Sequence, residues 1–95
     1  MTMQELLTTE DQWTQGAYAR DAEGRACAVG YTFVCRWCLV GAIHRCYPQD
    51  LGLAVIAAIT DAMGLYNLMD NLVEWNDEPE RTFAEVRELI ERLDV

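Results

Sequence analysis

The sequence predicts a mainly α fold: a compact bundle of four or five short helices, with a small hairpin or extended arm near the N-terminus. Three observations carry that expectation. Apolar residues recur every three or four positions over much of the chain, which builds helical faces. Gly24, Pro48, Gly64 and Pro79 punctuate the runs. A length of 95 residues with 52 % hydrophobic content suits one packed core and no second one, so residues 1–95 are expected to form a single small acidic domain. A chain of this size buries only about 60–65 % of the surface its unfolded form exposes, so it has little stability to spare.

Taken in order, residues 3–12 predict a short helix with Leu6 and Leu7 as its apolar contacts. Ala22-Glu23-Gly24 lies between Tyr18-Ala19-Arg20 and Cys27-Ala28-Val29 and predicts a hairpin or turn, with Gly24 supplying positive φ. From about Thr32 to Tyr47, Phe33, Trp37, Val40, Ile43 and Tyr47 fall at helical intervals, and Pro48 stops the run. Gly41 costs that helix roughly 1 kcal/mol relative to Ala, which points to a backbone or a ring packed close to it. Gln49 to Met63 is a second helix, apolar nearly all round, and is expected at the centre of the core. Gly64 sits where a C-cap glycine belongs. A third helix, about Tyr66 to Trp75, would carry Leu68, Leu72 and Trp75 on one face, followed by a turn at 76–80. The last helix has the plainest signal. Thr82-Phe83-Ala84-Glu85 fits a capping box, and Phe83, Val86, Leu89, Ile90 and Leu93 form the stripe behind it. Glu88 lies one turn before Arg92, the spacing of a weak ion pair.

Sixteen acids oppose seven bases, every one of them arginine, for a net charge of −9. Ten of those acids and three of the arginines fall in residues 61–95, so that stretch carries −7 of the −9. Such a field repels nucleic acid and anionic membrane, and it attracts basic surfaces. No apolar run approaches the roughly 18–20 residues that cross a bilayer. The opening Met1-Thr2-Met3-Gln4-Glu5-Leu6-Leu7 lacks the basic and apolar regions of a secretion signal, which predicts a cytoplasmic protein.

Four cysteines and one histidine raise metal binding and nucleophilic catalysis. Cys35 and Cys38 have C-x-x-C spacing, with His44 and Cys46 beyond them. Within one continuous helix, Cys35 and His44 would lie about 13–14 Å apart along the axis, too far to close a tetrahedral site. The same geometry turns Cys38 and His44 to different faces, so a Cys–His dyad fits poorly. Small core hydrophobes are the better account of the cysteines. Asp70 and Glu74 at i, i+4 suggest a solvated face rather than a divalent metal site. No metal and no cofactor is expected.

Three motifs in order, Trp13-Thr14-Gln15-Gly16-Ala17-Tyr18-Ala19-Arg20-Asp21, Arg36-Trp37-Cys38-Leu39-Val40-Gly41-Ala42-Ile43 and Glu74-Trp75-Asn76-Asp77, stand ahead of Arg81-Thr82 and Glu85-Val86. Together they resemble a family of small, uncharacterised bacterial and phage proteins, over most of the chain from Trp13 onward. The resemblance implies a shared fold and no particular activity. Physically these residues read best as scaffold. Trp13, Trp37 and Trp75 would anchor the core, and Arg20 or Arg36 would pair with Asp77 to hold the hairpin and the Trp-Asn-Asp turn on the helices.

The leading functional reading is a non-enzymatic acidic interaction module, of the kind a phage would encode to inhibit a host defence or DNA/RNA-handling complex by covering its basic surface. Its partner-binding residues would be Asp70, Glu74, Asp77, Glu78, Glu80, Glu85, Glu88 and Glu91. Duplex DNA carries one charge per about 1.7 Å of axis, so these acids imitate at most a short piece of backbone. Specific protein contact with acidic steering is favoured over broad DNA mimicry. The second reading is a small-ligand binder or cysteine-dependent enzyme built on Gln15, Arg20, Arg36, Cys38, Asn76 and Asp77. A homodimer sealed through the apolar helices is the third.

Overall fold

The structure, a computed structural model, describes residues 1–64 and 69–95. Five helices are present among them: α1 (Met3–Leu6), α2 (Leu39–Cys46), α3 (Gln49–Ala62), α4 (Met69–Asp77) and α5 (Phe83–Leu93). Between α1 and α2 the chain makes a 3-10 turn at Glu10–Gln12 and then a long arm, which carries the short strands β1 (Ala19–Arg20) and β2 (Arg36–Trp37). The mainly α architecture with a small hairpin or arm near the N-terminus is therefore the observed one.

The core is built round α2. Its Leu39, Val40, Ala42 and Ile43 are fully buried, against Met3, Leu7, Ile59, Leu72, Val86 and Ile90 from the other four helices and the segment after α1. The expected helix over 32–47 begins only at Leu39. Its first half is extended because the backbone there is engaged elsewhere: Arg36 and Trp37 pair antiparallel with Arg20 and Ala19. Cys38 then takes an extended N-cap conformation, with its sulfur accepting the Gly41 N–H at 3.3 Å. Phe33, expected on the apolar helical face, is instead 53 % exposed and stacked on Tyr31. The turn after β1 is as expected. Gly24 has φ +83°, Asp21 N–H donates to Arg25 O at 2.9 Å, and Ala26 bridges to Arg20.

The helix expected at 3–12 is divided. After α1 the Gln12 side-chain oxygen accepts both the Thr8 and the Thr9 backbone N–H, at 2.8 and 3.1 Å, and this closes the following turn in place of helical bonds. Arg87 of α5 finishes α1 from outside, donating to Gln4 O and Leu7 O at 2.8 and 3.0 Å. Glu91 pairs with that Arg87, whereas the predicted Glu88–Arg92 pair is not seen among the described residues. The Arg87 head is already fixed by the α1 carbonyls, so its partner one turn on needs little further ordering.

Only one side of α3 enters the core, through Gly52, Ile56, Ile59 and Thr60. The expectation of a central α3 is corrected: Leu51 and Leu53 are 56 % and 59 % exposed. Gly64 follows with φ +71°, the left-handed conformation that ends a helix. For the third predicted helix, the start at Tyr66 and the contact at Leu68 lie outside the described residues, while Leu72 is fully buried. Helix α5 is capped as predicted, Thr82 accepting the Glu85 N–H and Glu85 accepting the Thr82 N–H at 3.2 and 3.0 Å. The Thr82 N–H first, then the Thr82 hydroxyl and Arg81, hold the Glu85 carboxyl below its ordinary pKa against the opposing effect of burial. Thr82→Ala is expected to cost about 1 kcal/mol, readable as a shift of the urea midpoint with an unchanged slope.

Candidate functional site

Where polar groups converge in this protein, they converge on Asn76. It occupies the last turn of α4 and is completely buried. Its Oδ1 accepts the Trp13 Nε1–H at 2.7 Å and the Leu39 N–H at 3.1 Å. Its Nδ2 donates to Thr14 O at 3.1 Å and to Asp77 Oδ1 at 2.9 Å. A carboxamide offers two donors and an oxygen with two lone pairs. All four are taken, so Asn76 ties the arm at 13–14 and the first N–H of α2 to the end of α4. Nothing in the side chain remains for a ligand.

Its neighbours extend the same seam. Gln15 Nε2 donates to Asn76 O and Glu78 O, both at 2.8 Å, and so satisfies carbonyls at the C-terminal end of α4. Asp77 Oδ1 also accepts the Gly16 N–H at 3.1 Å, and Gly16 turns there with φ +80°. Arg20 laces the arm to itself, donating to Thr14 Oγ1, Gln15 O and Gly24 O at 2.9, 3.1 and 2.9 Å. Cys38, next in chain to Leu39, caps α2. Five of the six residues of the predicted pocket are thus brought together or joined to one network. Arg36 is not: it is exposed on β2, above a shallow depression shared with Glu10, Asp11 and Gln15. Neither Arg20 nor Arg36 pairs with Asp77 among the described residues. Backbone and side-chain amides, Gly16 N–H and Asn76 Nδ2, fill that role.

The tryptophans divide. Trp13 and Trp37 are buried in the core, as expected. Trp75 is only half-buried and is covered on one side by Arg81, whose guanidinium carbon lies 3.8 Å from the ring centroid. Arg81 also donates to Trp75 O at 3.0 Å and pairs with Glu85 at 2.9 Å, which sets the angle of α5 against α4. The Trp13–Asn76 bond was absent from the sequence reading. Its one trace there is an indole and a carboxamide in two motifs, groups that usually find a hydrogen-bond partner when buried, although the buried Trp37 Nε1 finds none among the described residues.

The cavity beside the seam is small, about 170 Å³, lined by Gly16, Ala17, Tyr18, Cys38, Val73 and Asp77. Burial pushes the Cys38 thiol up, and the Asp77 charge pushes it the same way, against the lowering pull of the Gly41 and Val40 N–H groups. A protonated, 3 % exposed thiol is the opposite of an activated nucleophile. Cys27 and Cys46 are half-buried, but Cys35 is exposed, so the core account fails for that one cysteine. Alkylation of the native protein by iodoacetamide at neutral pH should therefore mark Cys35 first. Cys38 should react only on addition of denaturant, as read by peptide mass spectrometry. Among the described residues no group of three or more His, Cys, Asp or Glu side chains is placed to hold a metal ion.

The eight acidic residues expected to bind a partner fall into two sets. Asp77 is engaged in the seam, Glu85 caps α5 and pairs with Arg81, and Glu91 pairs with Arg87. Asp70, Glu74, Glu78, Glu80 and Glu88 are exposed, and among the described residues their carboxylates make no hydrogen bond or ion pair. They follow one another along α4, the turn after it and the outer side of α5.

Fold and site together define a small helical protein whose motif residues form an internal polar seam and whose Asp70, Glu74, Glu78, Glu80 and Glu88 carboxylates are unengaged among the described residues. The chain belongs to the family described as a family of unknown function (DUF6197), which matches residues 2–93. No curated protein and no solved structure matches it. Among the described residues no helix is long and apolar enough to cross a membrane.

Proposed function

We propose that this protein is a non-enzymatic acidic interaction module that covers a basic, nucleic-acid-binding surface of a partner protein and thereby inhibits it. One observation carries the reading: five exposed carboxylates, Asp70, Glu74, Glu78, Glu80 and Glu88, without an internal counter-charge among the described residues, in a chain of net charge −9. Long-range attraction of a basic partner follows from that charge, and specificity then needs only local contacts. The enzyme and ligand-pocket readings are weakened by the seam, since Gln15, Asn76 and Asp77 are taken up by its own bonds, Arg36 lies apart from them, and the Cys38 thiol is held protonated.

Glu74, Glu78, Glu80 and Glu88 changed together to Lys provide the test, because none of the four supports the fold through an ion pair or cap. Captured from the lysate of a host cell, a stoichiometric partner should be retained by the native chain and lost by the variant. Its affinity should fall roughly tenfold or more as added salt shortens the Debye length from about 30 to 8 Å. A partner held equally by both chains would sink the reading.

A further inference from the structure

The outer face of α3 has no partner among the described residues, and it is apolar. At 100° per residue, Leu51, Ala54, Ala58 and Ala62 fall within about 80° of one another, opposite the buried Gly52, Ile56 and Ile59. All four are exposed, Leu51 by 56 %. A lone exposed leucine means nothing. A contiguous apolar helix face that runs the length of a 14-residue helix marks a contact surface.

Charge selects the occupant. Asp50 and Asp61 border the face on one flank, and no Lys, Arg or His occurs from residue 46 through residue 80. The nearest cation in the chain before it, Arg45, belongs to the last turn of α2. A second copy of this chain would set acidic flank against acidic flank, each molecule carrying −9, with no cation on either α3 to offset it. An amphipathic helix with Lys or Arg beside its apolar stripe meets both demands. We propose that the outer face of α3 docks such a basic amphipathic helix of a partner protein, its apolar side on Leu51, Ala54 and Ala58 and its cations on Asp50 and Asp61. This rests on the acidic-module reading and gives it a shape. The alanines let two helix axes approach to the short end of the usual 8–10 Å range. A helix of about 21 Å, some four turns, matches the length of α3.

The probe is a display library of amphipathic peptides about four turns long, apolar on one stripe and randomised among Lys, Arg, Glu and Gln beside it. It is selected on the native chain and counter-selected on Ala58→Arg. Enrichment of Lys and Arg in the flanks is expected. The best binder should lose roughly tenfold affinity or more against Ala58→Arg and against Leu51→Gln, the latter removing apolar contact without adding charge. Circular dichroism should show all variants folded, since every altered side chain is exposed. Enrichment of acidic or neutral flanks, the absence of any binder, or binding indifferent to both variants would overturn the proposal. So would a native dimer in sedimentation that Ala58→Arg dissociates, because a second copy would then be the occupant. Binding indifferent to the α3 variants but abolished by the four-lysine reversal at Glu74, Glu78, Glu80 and Glu88 would remove the α3 site and leave the acidic module standing.

Discussion

Replacing Asn76 by Ala should destabilise this protein by about 3–5 kcal/mol, the largest effect of any single polar truncation in it. The change strands three groups at once: the Trp13 indole N–H, the Leu39 N–H and the Thr14 carbonyl, each of which is bonded by Asn76 and, among the described residues, by no other group. A buried polar group left without a partner costs about 1–3 kcal/mol, and partial relaxation keeps the sum below the arithmetic maximum. A domain of this size has only about 5–14 kcal/mol in total. Each kcal/mol lost shifts the melting temperature by roughly 4–8 °C, so a loss of about 12–40 °C is expected in a circular dichroism melt, with tryptophan emission changing at the same transition. A shift of only a few degrees would mean that the seam is replaceable.

Asn76→Asp sharpens the test through pH. The new carboxyl keeps the acceptor for Trp13 and Leu39 but loses the Nδ2 donor, and it lies against Asp77. Burial and the neighbouring negative charge hold a carboxyl protonated to higher pH in the folded state than the value of about 3.9 in the unfolded chain. The unfolded state then releases its proton first as pH rises, so the deficit grows with pH above about 4 and shrinks as the pH is lowered toward it. Wild type provides the baseline at each pH.

What the sequence makes legible here is what local chemistry decides. The capping box at Thr82 and Glu85 needs four consecutive residues, and it is present with both bonds. Gly24 and Gly64 each mark a positive φ, and Gly64 ends α3 where expected. The larger failures are non-local. Phe33 and Trp37 keep helical spacing with Val40, yet Trp37 lies in a strand because Ala19, eighteen positions earlier, is there to pair with it. An all-round apolar α3 reads as buried, but its Leu51 and Leu53 face solvent, because among the described residues the other helices cover only one side of it. The scaffold role of the three motifs was readable in outline. The bonds themselves, Gln15 to Asn76 and Glu78 or Trp13 to Asn76, join residues more than sixty positions apart, and no periodicity records them.

Gly41→Ala is the second large effect, and it runs against helix propensity. In an exposed helix the change would stabilise by about 1 kcal/mol. At Gly41, in the third position of α2, an added Cβ would stand 1.9 Å from the Tyr18 carbonyl oxygen and 2.8 Å from its carbon. Both atoms are backbone, so no rotamer relieves the clash. Nor is the Tyr18 carbonyl free to retreat, since it accepts the Cys38 N–H at 3.1 Å, and the adjacent Ala19 is held by β2. Either α2 or the arm must move by more than an ångström, and α2 carries four fully buried core residues. Overpacking of this kind costs about 1–3 kcal/mol where side chains can yield, and the upper end or beyond is expected where only backbone can. Guanidinium denaturation should therefore show Gly41→Ala less stable by about 3 kcal/mol or more, and hydrogen exchange should lose protection first at Cys38. If Gly41→Ala were instead as stable as wild type, the arm would have to lie farther from α2 than these contacts require. The seam that Asn76 closes would then be looser than its four short bonds imply, so the two substitutions test one structure from opposite sides of the arm.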